Sequence, residues 1–309
     1  MPQRLRILTW NVGEPPATVL PTIADRLSAS NADLVFFNEI MSDSLWNGWS
    51  GAFGPNQAQE LARQCGYRWV HFADNGVMGH GGIKYVALLS RHRLSNPAVQ
   101  PALKDPNFGG NYFALEVQAV IDGRRWYCYT LRFSSHHEPH FRRHCELLRD
   151  RILSLPPGTP VIAAGDFNGG AHLDARWRNS PAPRDDTLLL RINPALQDLL
   201  LRTGLQSATS GLAPMEDKVF HTNPEKFSPP YIRATDLILY RGPVERISVS
   251  EGHDNIGAEA HQWLFTELGP PGSRLAQAPG ALPAIASLLE PEPPVMVKPR
   301  RRPRRRIVR

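Results

Sequence analysis

Cysteine is scarce in this 309-residue chain: Cys65, Cys128 and Cys145 stand far apart, with no metal-ligand spacing among them. That excludes a disulfide framework and any Cys/His pattern suited to zinc, and it fits three small buried hydrophobes in a reducing compartment. Long apolar runs are missing as well. None approaches the roughly 20 residues that cross a bilayer, and Arg4 and Arg6 interrupt the first strand-like run, so no signal-peptide pattern is expected. These absences together predict a cytoplasmic protein with no membrane span. At 41% hydrophobic and 21% charged, the chain has ample material for one large core.

Net charge is also absent from most of the chain. The formal value is +6, yet nine Lys or Arg lie in residues 269–309 against Glu290 and Glu292, a local +7 that leaves about −1 for residues 1–268. The same tail carries nine prolines, which predicts disorder. The division expected is therefore one folded domain over 1–268 and a disordered Pro/Arg-rich tail over 269–309. Such a tail, most basic over 298–309, suits the phosphates of nucleic acid, acidic lipid headgroups or acidic proteins, or merely keeps the chain soluble. No long basic amphipathic helix favours a membrane surface, and nothing in the sequence points to an oligomeric state.

What is present is a series of apolar runs with polar ends. Residues 4–12 and 33–40 read as strands ending in amides or carboxylates. Further strands are expected over 67–72, 84–90, 112–121, 125–133, 235–240 and 262–268, with Asp122-Gly123 a hairpin turn. Glycines 76, 79, 81 and 82 predict a flexible loop before Lys84. Four helices have convincing patterns: one with Leu20, Ile23, Ala24 and Leu27 on one face, and one capped by Asn56 and stopped by Gly66. The third carries Phe141, Cys145, Leu148, Ile152 and Leu155 at 3.6-residue spacing, and the fourth runs over 195–203 behind Asn193-Pro194. Many strands with few helices argue against a strictly alternating doubly wound fold and suit sheets stacked between helix layers.

The run over 161–170, Val-Ile-Ala-Ala-Gly-Asp-Phe-Asn-Gly-Gly, concentrates these features. Four small or branched apolar residues make a buried strand that ends in Asp166 and Asn168. If the strand persists, the two share a face; otherwise the pair is an Asx-type turn. Other apolar strands end in Asn11, Glu39, Arg132, Asp236 and His261. Carboxylate and amide oxygens gathered at one rim, with water, would suit Mg²⁺ or Mn²⁺.

At this level a resemblance becomes specific. The ordered set Thr9-Trp10-Asn11, Asn38-Glu39, 88–91 (Leu-Leu-Ser-Arg), 129–132 (Tyr-Thr-Leu-Arg), 165–168 (Gly-Asp-Phe-Asn), 235–239 (Thr-Asp-Leu-Ile-Leu) and Ala260-His261 resembles the endonuclease/exonuclease/phosphatase superfamily. It spans about residues 4–268 and implies a four-layer α/β sandwich, two packed mixed β-sheets flanked by helices, with the site at one end of the sheets. It also implies roles. Glu39 would ligate a divalent metal with Asn11 beside it, and Asp166 would orient or deprotonate the attacking water. Asn168 would hold that water or a phosphate oxygen, Asp236 would support the site, and His261 would stabilise transition-state charge. The same roles are what an anionic ester demands: charge shielding, a positioned base, and donors to the non-bridging oxygens.

Two residues depart from the pattern. Arg132 stands where the family has His or Tyr; it is a good phosphate donor that never loses its proton at working pH. Ala260 stands where the family has an Asp that orients the His and contributes to the metal environment. Glu259 on an extended strand would point the other way, whereas Asp254 or His253 could reach in, or His253-Asp254 could hold the His/Asp role in reversed order. His140 and His144, one helical turn apart beside His136 and His137, could pair on a metal or could start a solvated helix.

The function implied is a Mg²⁺- or Mn²⁺-dependent hydrolase of phosphodiester bonds, first of all a nuclease on DNA or RNA. The alternatives are a phosphatase or phospholipase-like enzyme on a small or lipid phosphate, and a weakened member that binds phosphate-bearing partners. Substrate choice would rest on the loops at 76–82, 104–110 and 136–140.

Overall fold

The computed structural model describes residues 4–43, 56–78, 82–99, 113–133, 138–168, 194–209, 236–252, 254, 256 and 260–273. The expected tail beyond 273, the loop at 104–110, and His136, His137, Asn193, His253 and Glu259 lie outside them.

The first half of the chain runs β1 (Leu5–Asn11), α1 (Leu20–Ser30), β2 (Leu34–Asp43), α2 (Gln57–Cys65), β3 (Trp69–Met78), β4 (Gly82–Ser90) and β5 (Arg93–Val99). It continues with β6 (Phe113–Ile121), β7 (Arg124–Arg132), α3 (Glu138–Leu153), β8 (Val161–Asp166), α4 (Pro194–Thr203), β9 (Gln206–Ser207), β10 (Asp236–Arg241), β11 (Glu245–Gly252) and β12 (Trp263–Gly269). The strands form two six-stranded sheets, ordered β11-β12-β1-β2-β4-β3 and β5-β6-β7-β8-β10-β9. Each has a parallel pair at its centre, β1–β2 and β7–β8, flanked by antiparallel neighbours. The sheets are therefore mixed, as expected.

Side-chain alternation divides the core into three layers. Ile7, Leu34, Phe36 and Leu88 of the first sheet meet Val117, Cys128, Ile162, Ala164 and Ile238 of the second in one cluster between the sheets. Their neighbours in sequence face outward. Leu8, Trp10, Val35 and Phe37 pack against Ile23, Leu27, Leu61 and Ala62 of α1 and α2. Tyr129, Leu131, Val161 and Ala163 pack against Phe141, Cys145, Leu148 and Leu199 of α3 and α4. Each central strand is buried on both faces, which is why these runs carry almost no charge before their last residues.

The local signals are met by geometry. The Asn56 side chain accepts from Gln59 N at 3.1 Å, and Gly66 ends α2 at φ +73°. Asp122 and Gly123 have φ of +48° and +73°, the left-handed pair of a type I′ hairpin turn. Of the stretch expected as a glycine loop before Lys84, the described residues are strand: β3 runs on to Met78, and β4 begins at Gly82 and pairs back on it, while Gly79 and Gly81 lie outside the described residues. Ladder pairing outweighs the local glycine content there.

Candidate active site

The inward-facing rows of the central strands each end in a polar residue. Asn11 continues Ile7, Asn38 continues Phe36, Arg132 continues Cys128, and Asp166 continues Ala164; Asp236 precedes Ile238 on antiparallel β10. Register aligns these ends: Asn11 opposite Asn38, Arg132 opposite Asp166, and Asp166 opposite Asp236. Asn38 fastens the two sheets together there. Its Nδ2 donates to Leu131 O at 2.7 Å and its Oδ1 accepts from Asp166 N at 2.9 Å, all in buried surroundings. Gly165 makes the approach feasible. With φ +141°, a Cβ there would fall 2.1 Å from Leu131 O and 3.0 Å from Asn38 Oδ1.

Glu39 reaches the site by a bulge. Phe37 pairs with Ala87 and Ile40 with Tyr85, so Asn38 and Glu39 together oppose Val86. Glu39 takes φ +54°, which turns an otherwise outward position toward the rim and returns Ile40 to the outer cluster. Its carboxylate meets Arg132 Nη2 at 2.5 Å and Asn11 Nδ2 at 3.3 Å through Oε1, and Lys84 Nζ at 3.3 Å through Oε2. Lys84 also forms an ion pair with Glu14, whose φ is +56°. Burial would raise the Glu39 carboxyl, but the charges of Arg132 and Lys84 and the Asn11 amide overcome it and hold it at about 2. Glu14, Glu39 and Asn168 are three of the five non-glycine residues with positive φ among those described; the other two are helix-end and hairpin residues.

Asp166 is fully enclosed. Its Oδ2 accepts from Asn11 Nδ2 at 3.0 Å and Asn168 Nδ2 at 2.8 Å, and its Oδ1 accepts from Asn168 N at 2.9 Å. The strand does not persist to Asn168. The Asx-type turn is what forms, with Asn168 at φ +52° and its amide also donating to Phe133 O at 2.9 Å. Turn and constellation are thus one structure. Burial pushes the Asp166 carboxyl up to about 7, with Asp236 and Glu39 adding to the rise and His261 and Arg132 opposing it.

His261 lies just before β12, its backbone N donating to Asn11 O at 2.9 Å and its O accepting from Trp10 Nε1 at 3.0 Å. Its Nδ1 stands 2.6 Å from Asp236 Oδ2. This corrects the expectation attached to Ala260, because Asp236 orients the imidazole. Ala260 is itself fully buried in the outer apolar cluster. Asp254 does not reach in either: Arg26 holds it through two hydrogen bonds of 2.6 and 2.8 Å while stacking over Trp263.

All seven residues expected at the site converge: Asn11, Glu39, Arg132, Asp166, Asn168, Asp236 and His261. Sequence reasoning missed Lys84, Glu14 and the clamping role of Asn38. Only Asn38 carried a signal, as the partner of Glu39 in the Asn-Glu pair. His144 is buried against the Phe133 ring, 5.1 Å between centroids, and among the described residues no three-ligand group includes it or His140.

The donor set is hard: four carboxylates, from Glu14, Glu39, Asp166 and Asp236, with one imidazole. Ligand atoms of Asp166, Asp236 and His261 lie within 4.8 Å of one another. Oxygen-rich, anionic and partly buried, the site fits Mg²⁺ or Mn²⁺ better than a soft metal.

Two mixed sheets stacked between helix layers, with carboxylates, amides and a His–Asp pair at their shared rim, define a DNase-like α/β sandwich of the phosphoesterase type. The chain belongs to the endonuclease/exonuclease/phosphatase family, whose model matches residues 8–265. Members of the family generally use divalent metals. No curated protein sequence matches the chain significantly. Among solved structures it is similar to an endonuclease/exonuclease/phosphatase from Beutenbergia cavernae, with TM-score 0.64 and 17% identity over 89% of this chain and 73% of that one. A family protein from Bacteroides vulgatus gives TM-score 0.62 and 13% identity over 87% and 99% of the two chains. TDP2 from D. rerio, solved with a single-strand DNA product, gives 0.59 and 16% identity over 86% and 99%. Among the described residues no helix is long and apolar enough to cross a membrane.

Proposed function

We propose that this chain is a Mg²⁺- or Mn²⁺-dependent phosphodiesterase acting on nucleic acid. The observation that carries the reading is the seating of Asp166 where both sheets meet, hydrogen-bonded to Asn11 and Asn168 and paired in register with Asp236, which in turn holds His261. A divalent ion held by Glu39, with Asn11 beside it, would shield the phosphate charge that repels an incoming hydroxide.

The chain's own groups supply the rest. Asp166, raised toward neutrality, takes the proton of the attacking water. Asn168 holds that water or a non-bridging oxygen. His261, oriented through Nδ1 by Asp236, presents its other ring nitrogen to charge building on the phosphorus oxygens. Arg132, reaching Glu39 from the second sheet, is a further donor to the phosphate. The reading as a weakened, merely binding member rested on Arg132 and Ala260. With Asp236 on His261, the orienting carboxylate is accounted for, which favours the enzyme.

Nucleic acid is favoured as substrate by the basic run over 298–309 and by the single-strand DNA product found with the D. rerio TDP2 neighbour. The test is hydrolysis of single- and double-stranded DNA, RNA and an aryl phosphodiester by wild type and Asp166→Ala, with Mg²⁺, Mn²⁺ or chelator. Chelator-sensitive cleavage of a nucleic acid, lost in the variant, is expected. Turnover of the aryl ester alone would redirect the proposal to a small or lipid phosphate.

A further inference from the structure

Lys84 has no place in the chemistry described so far, yet it sits at its centre. It is the third residue of strand β4, opposite Met41 of β2, and its side chain is 15% exposed. Its ammonium bridges two carboxylates that are themselves well buried, Glu14 at 8% and Glu39 at 13% side-chain exposure. Both glutamates adopt left-handed backbone, and Glu14 N donates to Glu39 O at 3.0 Å, so the chain holds the two acidic side chains on one short span. Two buried carboxylates so close repel unless a cation lies between them. Lys84 is that cation. Oε1 of Glu39 is already covered by Arg132 and Asn11, and Oε2 is the atom the ammonium takes.

We propose that Lys84 is a resident cation of the metal seat: its ammonium lies between Glu14 and Glu39 and must be displaced before a divalent ion can bind there. This rests on the reading of Glu39 as a metal ligand. The two cations compete for the same oxygens and repel each other, so the lysine lowers metal affinity and keeps the seat charge-balanced without metal. A lysine suits the task because its point charge rides on a flexible four-carbon stem that can swing aside. The displaced ammonium then becomes available to an incoming phosphate.

The test is Mn²⁺ binding to the full chain at pH 7, measured by electron paramagnetic resonance or calorimetry, for wild type, Lys84→Met, Lys84→Arg and Lys84→Met/Glu14→Gln. Lys84→Met should bind Mn²⁺ at least about tenfold tighter than wild type, and the double variant should lose that gain. Lys84→Arg should stay as weak as wild type, which keeps the test open if the methionine folds poorly. The metal-free thermal midpoint of Lys84→Met should be lower than that of wild type and should recover with Mn²⁺. If wild type binds Mn²⁺ and Lys84→Met binds no tighter, the lysine is not a competitor and the inference fails. If no variant binds Mn²⁺, the metal reading itself fails and takes this inference with it.

Discussion

His261 Nδ1 and Asp236 Oδ2 face each other at 2.6 Å across the junction of the two sheets, one residue leading into β12 and the other opening β10. The pair fixes the imidazole's tautomer and orientation without any help from position 260. Asp236→Asn should therefore cost about 10²-fold or more in kcat with little change in KM, within the range for a positioned acid–base group.

Ala260→Asp follows the opposite logic to the sequence comparison. The side chain is fully buried among apolar residues of the outer layer. An Asp there is an uncompensated buried charge, and a loss of about 3–5 kcal/mol is expected. Urea unfolding should reveal lower stability and no gain in turnover.

Asn38 and Gly165 form the joint that seats Asp166. Asn38→Ala leaves Leu131 O and Asp166 N without their buried partner, a loss of about 2–4 kcal/mol for two hydrogen bonds. Gly165→Ala drives a Cβ to 2.1 Å from a backbone oxygen and should destabilise more, by about 3 kcal/mol or above. Denaturant melts of both variants, ranked against each other, check the geometry.

Opposite pKa shifts give the metal-free protein a particular pH dependence. Glu39 falls from 4.5 to about 2, so its stabilisation, about 3 kcal/mol, is present above pH 4.5 and is lost as pH falls toward 2. Asp166 rises from 3.8 to about 7, so its contribution is present below pH 3.8 and is lost as pH rises toward 7. Stability from the two together peaks at about pH 4. Unfolding free energies from pH 3 to 8 should follow this shape, and Asp166→Asn should flatten the decline between pH 4 and 7.

Much of this was legible in the sequence because burial on both faces forces apolar strands, and a polar residue at the end of such a strand stands out. The central strands and the seven residues that converge at their rim were readable on that ground, and the four helices on their 3.6-residue apolar spacing. Strands β5 and β11 were not. Both are edge strands; β5 contains Pro97 beside a register shift, and β11 is mostly polar with a half-exposed pattern. Glu39's orientation depends on a one-residue bulge set by β4, and the Lys84–Glu14 contact joins residues 70 positions apart. Neither leaves a local trace. The orienting contact expected of an Asp at 260 is made by Asp236, a residue recognised in the sequence but placed beside His261 only by the sheet packing.

The most direct measurement is kcat/KM for single-stranded DNA with Mg²⁺ and with excess chelator, for wild type and Asp166→Asn side by side. Turnover that needs the metal and falls at least about 10²-fold in the variant is the predicted result. Undiminished cleavage in chelator, or an Asp166→Asn protein that is folded and fully active, would contradict a metal-assisted site built around Asp166.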